Sequence, residues 1–141
     1  MDTIIDRVLS VAGHHEGTGD GAESGPFTAT LEVAPILGTM AASIDYVATA
    51  SDGTDLHAEH TVLAFDSLSG QPTLFVLCAE LNGIDQLVQT SESTFSNGRG
   101  TEGFELQIDI AFDDGTLAYV WSWGAPGDAL TEQSRATFPL R

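Results

Sequence analysis

Two Asp-Gly pairs, Asp52-Gly53 and Asp114-Gly115, each join two segments in which apolar and polar residues alternate. An Asp-Gly pair in this setting is the strongest short sequence signal for a β-hairpin. Around the second pair the apolar faces of both arms coincide, which pairs Phe112 with Leu117, Ile110 with Tyr119, Ile108 with Trp121, and Leu106 with Trp123. Turn chemistry and alternation thus predict one register, and they favour an all-β chain.

The first hairpin brings polar residues together on one face. A type I′ turn centred on Asp52 and Gly53 would place Ser51 opposite Thr54. The pairs that follow are Ala48 with His57, Tyr46 with Glu59, Ile44 with Thr61, Ala42 with Leu63, and Met40 with Phe65. One end of this face is apolar, and the other end holds Tyr46, His57 and Glu59. Such a face is typical of the inside of a ligand-holding barrel.

The remaining segments extend the β pattern. Residues 2–12 predict a short amphipathic helix that Asp2 caps and Gly13 ends. Residues 13–21 have glycine at almost every second position, which leaves one bare face for a close neighbour. About nine to ten short strands predict an up-and-down antiparallel β-barrel, with a sandwich as the alternative. We expect one domain, in which residues 1–12 close one mouth of a barrel formed by residues 13–141.

Charge and cysteine content restrict the partners and the compartment. The chain has 21 acidic residues and four basic residues, all arginine, for a net charge of −17. This charge repels nucleic acids and anionic membranes, so neither is expected as a partner. Cys78 is the only cysteine and is expected to be a small buried apolar residue. Without a disulfide, and with Asp2 and Asp6 where a signal peptide needs positive charge, a cytoplasmic location is expected.

Two segments leave alternatives open. The segment from Thr73 to Leu81 is apolar on both faces, which favours a covering neighbour and hence a possible homodimer. In the last strand one face carries Leu130, Ala136, Phe138 and Leu140, and the other carries Thr131, Gln133, Arg135 and Thr137. Both faces cannot point inward in a regular strand.

The order of these features resembles the nitrobindin branch of the calycins, relatives of the lipocalins and the fatty-acid-binding proteins. The resemblance covers nearly the whole chain and depends on the initial helix, Gly13-x-x-x-Gly17-x-Gly19, Pro26-Phe27, the first Asp-Gly hairpin followed by Leu56-His57-x-Glu59, and the closing strand. It implies a calycin barrel. It also implies that Arg135, if it points inward, would bind a ligand carboxylate, as an arginine of the last strand does in fatty-acid-binding proteins.

Nitrobindins bind haem through a histidine of the final strand and are credited with peroxynitrite isomerisation. The matching position here is Gln133, and no histidine follows His60. His15 stands where calycins have a tryptophan, and Ala22-Glu23-Ser24 replaces a segment of the family's haem environment. We therefore expect no haem and no other cofactor.

The sequence predicts a binding site inside the barrel. Its wall is expected to contain Trp121, Trp123, Tyr119, Phe104 and Met40, and its polar contacts Tyr46, His57, Glu59, Gln133 and Arg135. We predict a binding module for a small apolar or amphipathic molecule. The alternatives are an isomerase or hydrolase that uses His57 and Glu59 as acid and base, and a filled barrel that only dimerises. A metal site of His15, His57 and Glu59 is not expected, because dense ligand spacing is missing.

Overall fold

The computed structural model describes residues 2–99 and 102–140, which form one helix and ten strands. The elements are α1 (Ile4–Leu9), β1 (Gly13–Gly21), β2 (Gly25–Ile36), β3 (Ala41–Thr49), β4 (Asp55–Phe65), β5 (Pro72–Cys78), β6 (Asp85–Gln89), β7 (Thr94–Ser96), β8 (Glu105–Asp113), β9 (Thr116–Gly124) and β10 (Thr131–Pro139). Each strand pairs with its sequence neighbour in antiparallel fashion, and β1 pairs with β10. The predicted up-and-down barrel is confirmed, and closure leaves no open sheet edge.

Helix α1 packs against one end of the barrel. Thr3 caps it with a full capping box, in place of the Asp2 cap expected from the sequence. Ile4, Ile5 and Val8 are buried in the barrel core. Arg7 donates to the backbone carbonyl of Glu92, in the β6–β7 turn, at 2.8 Å. The helix therefore lies at the end of the barrel where the β6–β7 and β8–β9 turns meet.

The helix of this fold is far from membrane-spanning size. Within residues 2–99 and 102–140, no helix is both long enough and apolar enough to cross a bilayer.

The first hairpin has the predicted register but a different turn. Gly53 has a φ of 89°, whereas Asp52 stays at negative φ, so the predicted type I′ turn is wrong. The Gly53 amide donates to the Ala50 carbonyl, and Ala50 faces Thr54. This one-residue shift is reversed by a bulge next to Ala48, so the interior pairs return to the predicted partners. The returned pairs are Ala48 with His57, Tyr46 with Glu59, Ile44 with Thr61, and Ala42 with Leu63.

The predicted pair of Met40 and Phe65 does not form. Strand β3 begins at Ala41, and Met40 is 67% exposed in the turn before it. Phe65, at the end of β4, pairs with Pro72 of β5 instead. The prediction that Met40 lies on the binding wall is therefore wrong, because the residue occupies a solvent-exposed turn.

The second hairpin and the last strand differ in regularity. All four predicted pairs between β8 and β9 are present. Strand β10 instead has a register shift between Glu132 and Ser134. This shift explains why the sequence pattern does not show which face of the strand points inward. After the shift Ala136 and Phe138 are fully buried, and Arg135 points outward. Gln133, at the shift itself, lines the interior, so neither face of the sequence pattern is inward throughout.

Strand β5 is apolar on both sides, as the sequence indicates. Leu74 and Val76 are fully buried in the core. Phe75 is half-buried on the outer side, and Leu77 is 47% exposed there. The homodimer inferred from this face stays a prediction.

Candidate functional site

The barrel is hollow at the end opposite α1. A cavity of about 680 Å³ opens there, among the β1–β2, β3–β4 and β5–β6 turns and the loop after β7. Its apolar wall is formed by Phe27, Ala48, Leu56, Leu81, Phe104, Leu106, Trp121 and Trp123, and its polar wall includes Glu23, Ser24, Tyr46, His57, Cys78, Glu80, Asn82, Asp85, Arg99, Gln133 and Ser134. Near α1 the apolar side chains around Val8 and Leu31 leave a gap of only about 10 Å³. One half of the barrel is therefore packed and the other half can hold a molecule.

Glu59 is the centre of a buried hydrogen-bond network behind the cavity wall. Its Oε1 accepts from His57 Nε2 at 3.0 Å and from Trp121 Nε1 at 2.9 Å. Its Oε2 accepts from the Tyr119 hydroxyl at 2.7 Å and from the Thr61 hydroxyl at 2.5 Å. Both oxygens thus have two donors, which compensates the cost of burying a carboxylate. The network fixes the rings of His57 and Trp121 against the cavity.

His57 lies between two carboxylates. While Nε2 donates to Glu59, Nδ1 is 3.0 Å from Oε1 of Glu80. Burial alone would lower the pKa of His57, but the hydrogen bond and charge of Glu59, with those of Glu80, outweigh burial and raise it. The charge of His57 in turn helps to lower the pKa of Glu80 against its own partial burial. The imidazolium form of His57 is therefore favoured beside the cavity.

We expect the stability of the protein to depend on pH through His57. A histidine whose pKa is raised on folding contributes stability that is complete below its unfolded pKa of about 6.5, and this contribution is lost as pH rises through the folded pKa. The difference in unfolding free energy between the wild type and His57→Gln should therefore shrink as pH rises from about 6.5. Urea unfolding at several pH values measures it.

The matched control for this prediction is His14→Gln, on the outer face of β1. His14 also has a raised pKa, caused by hydrogen bonds to Glu16 and Glu32, but its side chain is 48% exposed, so solvent screens these interactions. A constant difference between the wild type and His57→Gln across the whole pH range would contradict the argument.

The Tyr46 hydroxyl is a buried polar group at the cavity wall that lacks a hydrogen-bond partner among the described residues. The side chain is only 1% exposed, and burial raises its pKa to about 12. Ser134 lies near enough to lower this pKa in part but does not complete a hydrogen bond. An unpaired buried hydroxyl costs free energy, so Tyr46 offers a bound molecule a donor.

The structure places the other predicted site residues in three groups. Trp121, Trp123, Phe104 and Gln133 line the cavity, and Trp121 packs edge-on against the His57 ring at 4.9 Å between centroids. Tyr119 lies behind the wall, fully buried against Glu59. Arg135 is outside the barrel, where it forms an ion pair with Glu132 at 2.8 Å. The prediction that Arg135 contacts the ligand is therefore wrong, because its face of β10 is the outer one.

The histidines lie in separate parts of the barrel. His15 Nε2 is 2.7 Å from the Val11 carbonyl, close to α1 and far along the barrel from His57. His60 is on the outer face, 2.6 Å from Asp45. A group of His15, His57 and Glu59 does not form, because His15 and His57 lie at opposite ends of the barrel.

Sequence reasoning misses several cavity residues. Cys78, expected to be only a buried apolar residue, faces the cavity next to His57. Burial, with a contribution from Glu80, raises the pKa of its thiol to about 12. Asp85 and Arg99, 2.8 Å apart at the mouth, are also missed. The pairing of β4 with β5 places Cys78 opposite Glu59, and knowledge of this register would have identified Cys78 as a cavity residue. The turn between these strands is too long to fix the register from the sequence.

Comparisons with known proteins support the fold. No protein-family model matches the chain, and no curated protein matches it significantly. Among solved structures, Rv2717c from M. tuberculosis has a TM-score of 0.68 at 18% identity, over 99% of each chain. A redesigned β-barrel, mFAP1, solved bound to DFHBI, has a TM-score of 0.51 at 10% identity, over 94% of this chain and 96% of its own. At these identities the likeness is one of fold.

Proposed function

We propose that this protein binds one small, largely apolar molecule that carries no negative charge, inside the open half of the barrel. The observation that supports this most directly is the cavity of about 680 Å³, which falls within the usual size range of small-molecule sites. Both tryptophans of the chain line it. Indole rings are large, rigid surfaces for a flat apolar molecule, and they contribute much to binding energy when they are buried.

The charges around the cavity disfavour an anion. Glu23, Glu80 and Asp85 are on its wall, and the Arg99 guanidinium is engaged by Asp85. His57, the other lining residue that can carry a positive charge, lies between two carboxylates. Among the described lining residues there is thus no cation left for a ligand carboxylate, and the chain as a whole carries a charge of −17. A neutral or cationic molecule avoids this repulsion.

The polar contacts indicate one further property of the ligand. Tyr46 supplies a buried hydroxyl whose donor is unused, and the Ser134 and Gln133 side chains lie on the same wall. A carbonyl, ether or ring-nitrogen acceptor next to Tyr46 would satisfy it. We therefore infer a neutral or cationic, mainly aromatic or aliphatic molecule with one acceptor at its buried end.

The likeness of fold supports this proposal in a general way. The redesigned barrel mFAP1 binds DFHBI, so a barrel of this kind has room for a small molecule. We also propose that the chain is a calycin barrel related to the nitrobindins and fatty-acid-binding proteins. The glycine-rich β1, the closing helix and the likeness to Rv2717c along the whole chain support that assignment.

Haem does not fit the residues present. Gln133, at the position that the resemblance assigns to the haem ligand, lines the cavity but offers only an amide. The Glu80 carboxylate is 3.0 Å from His57 Nδ1, in the place that the haem plane would need, and Nε2 is bound to Glu59. The other three histidines lie at the α1 end or on the outer face. We therefore propose a ligand other than haem.

The same contacts do not favour acid and base catalysis. A general base needs a lone pair that faces its substrate. Both oxygens of Glu59 have two donors each, and both nitrogens of His57 face carboxylates. We therefore prefer binding to the isomerase or hydrolase alternative.

Two fluorescent probes of similar shape test the proposal. N-phenyl-1-naphthylamine is neutral, whereas 1-anilinonaphthalene-8-sulfonate carries a negative charge. We expect the neutral probe to bind with one-to-one stoichiometry and at least about tenfold more tightly than the sulfonate. Repulsion that costs the sulfonate about 1.4 kcal/mol of binding free energy corresponds to a tenfold difference in dissociation constant. Probe emission at moderate ionic strength gives both dissociation constants.

A pair of matched variants locates the probe. Leu106→Trp enlarges a side chain that lines the cavity, whereas Leu68→Trp makes the same change on a side chain that is 96% exposed in the β4–β5 turn. The first should weaken binding of the neutral probe severalfold and the second should leave it unchanged. Equal binding by both variants, or tighter binding of the sulfonate, would refute the proposed site.

A further inference from the structure

Three side chains at the cavity wall offer a nitrogen, a sulfur and an oxygen to the same point. One ring nitrogen of His57, the Sγ of Cys78 and one carboxylate oxygen of Glu80 all lie within 4.8 Å of one another. All three residues line the cavity. We propose that His57, Cys78 and Glu80 form a binding site for a divalent transition-metal ion of the zinc type.

The spacing suits such an ion. Tetrahedral zinc sites have ligand distances of about 2.0–2.3 Å, which puts neighbouring ligand atoms roughly 3.3–3.8 Å apart. His57 Nδ1 and Glu80 Oε1 are already 3.0 Å apart. The Glu80 side chain is half-exposed, so it can adjust by the small amount that coordination needs. Cys78 and His57 are on the paired strands β5 and β4, which hold them in place.

Glu59 supplies an independent argument. A histidine that binds a metal through one ring nitrogen usually donates its other N–H to a carboxylate, which fixes the tautomer and the ring. His57 Nε2 makes this contact with Glu59 at 3.0 Å. Nδ1 is 3.0 Å from Glu80 Oε1, and at this nitrogen the metal would take the place of a proton. Glu59 is itself held by Trp121, Tyr119 and Thr61. The supporting shell of a metal ligand is thus built into the barrel wall.

The donor set selects the class of metal. Imidazole nitrogen and thiolate sulfur suit zinc and cobalt, whereas magnesium and calcium prefer all-oxygen sites. A bound divalent ion removes the proton of a coordinating thiol outright, so Cys78 can act as a ligand. Three protein ligands leave the fourth position open to the cavity, where water or a ligand atom can bind. This inference goes beyond the proposed function, because binding of an apolar molecule does not require the metal.

The test is a titration of the whole protein with Co²⁺ and Zn²⁺ in about 0.5 M NaCl, which screens binding to the acidic surface. We expect one Co²⁺ per chain, with a thiolate-to-cobalt charge-transfer absorption in the near ultraviolet that stoichiometric Zn²⁺ removes. The absorption is measured on the wild type, so it does not depend on the folding of any variant. Absence of this absorption at one equivalent of Co²⁺ would overturn the proposal.

Variants then assign the ligands. Cys78→Ser and His57→Gln should each weaken Zn²⁺ binding by about 100-fold, and Cys78→Ser should abolish the charge-transfer absorption. The matched control is His60→Gln, which removes the surface contact between His60 and Asp45 on the other face of β4. A loss of affinity in His60→Gln as large as in His57→Gln would mean surface binding only and would overturn the site.

The metal test and the ligand test can fail separately. Binding of N-phenyl-1-naphthylamine is measured on the metal-free wild type, so it needs neither the metal nor any variant of its ligands. Probe binding without Co²⁺ binding would refute the metal site and leave the proposed function intact.

Discussion

Glu59→Ala is expected to lower the free energy of unfolding by about 3–5 kcal/mol, the usual cost of removing one partner from a buried ion pair. The substitution leaves the charged His57 ring without its buried carboxylate and leaves the Trp121 and Tyr119 donors unpaired behind the wall. Water cannot replace the carboxylate easily, because Glu59 is 5% exposed. The midpoint of urea unfolding measures the loss, and probe binding should weaken with it.

Two further variants separate the causes. In Glu59→Gln the amide oxygen can still accept from His57 and Trp121, while the Tyr119 and Thr61 hydroxyls can rotate and accept from the amide NH₂. We expect a smaller loss, about 1–3 kcal/mol. Glu32→Ala, on the exposed outer face of β2, should change stability by less than about 0.5 kcal/mol. If Glu59→Ala is no more destabilising than Glu32→Ala, Glu59 is not the centre of the network.

The part of the fold that the sequence predicts best is the pair of hairpins. Alternation fixes which residues share a face. A strand with one buried face cannot shift its pairing register by one residue, because the shift would turn the apolar side chains to solvent. For this reason residue alternation alone is enough to group Tyr46, His57, Glu59 and Trp121. Even the wrong turn at Gly53 does not disturb this grouping, because a bulge beside Ala48 restores the register.

What the sequence cannot predict depends on irregular backbone and on contacts between distant strands. The register shift in β10 turns Gln133 inward and Arg135 outward, and a bulge has no signature in residue alternation. Cys78 and Glu80 reach His57 only through the pairing of β4 with β5, across a turn that fixes no register. The sequence also does not show which charges near the cavity are paired, because Arg99, in the loop after β7, reaches Asp85 at the start of β6.

Gly19→Ala is expected to destabilise the protein by about 3 kcal/mol, the upper end of the range for overpacking. A Cβ atom at Gly19 would overlap the Phe27 ring and the Arg135 carbonyl oxygen. The ring could move away, but the carbonyl belongs to β10, which pairs with β1 to close the barrel. Relief of the clash therefore requires the closing strands to separate. The unfolding midpoint in urea measures this loss.

The effect should reach the binding site as well. Phe27 lines the cavity, so a ring displaced from Gly19 moves into the space of the ligand and should weaken probe binding severalfold. The matched control is Gly103→Ala, where the nearest atom would be the flexible Arg99 Cδ at 3.4 Å. That change should leave stability unchanged or raise it by less than about 1 kcal/mol, since alanine restricts the unfolded chain. Equal stability of the two variants would mean that the alternate glycines of β1 are not required for barrel closure. The expected difference would instead show that the bare face of β1 both closes the barrel and keeps Phe27 out of the cavity.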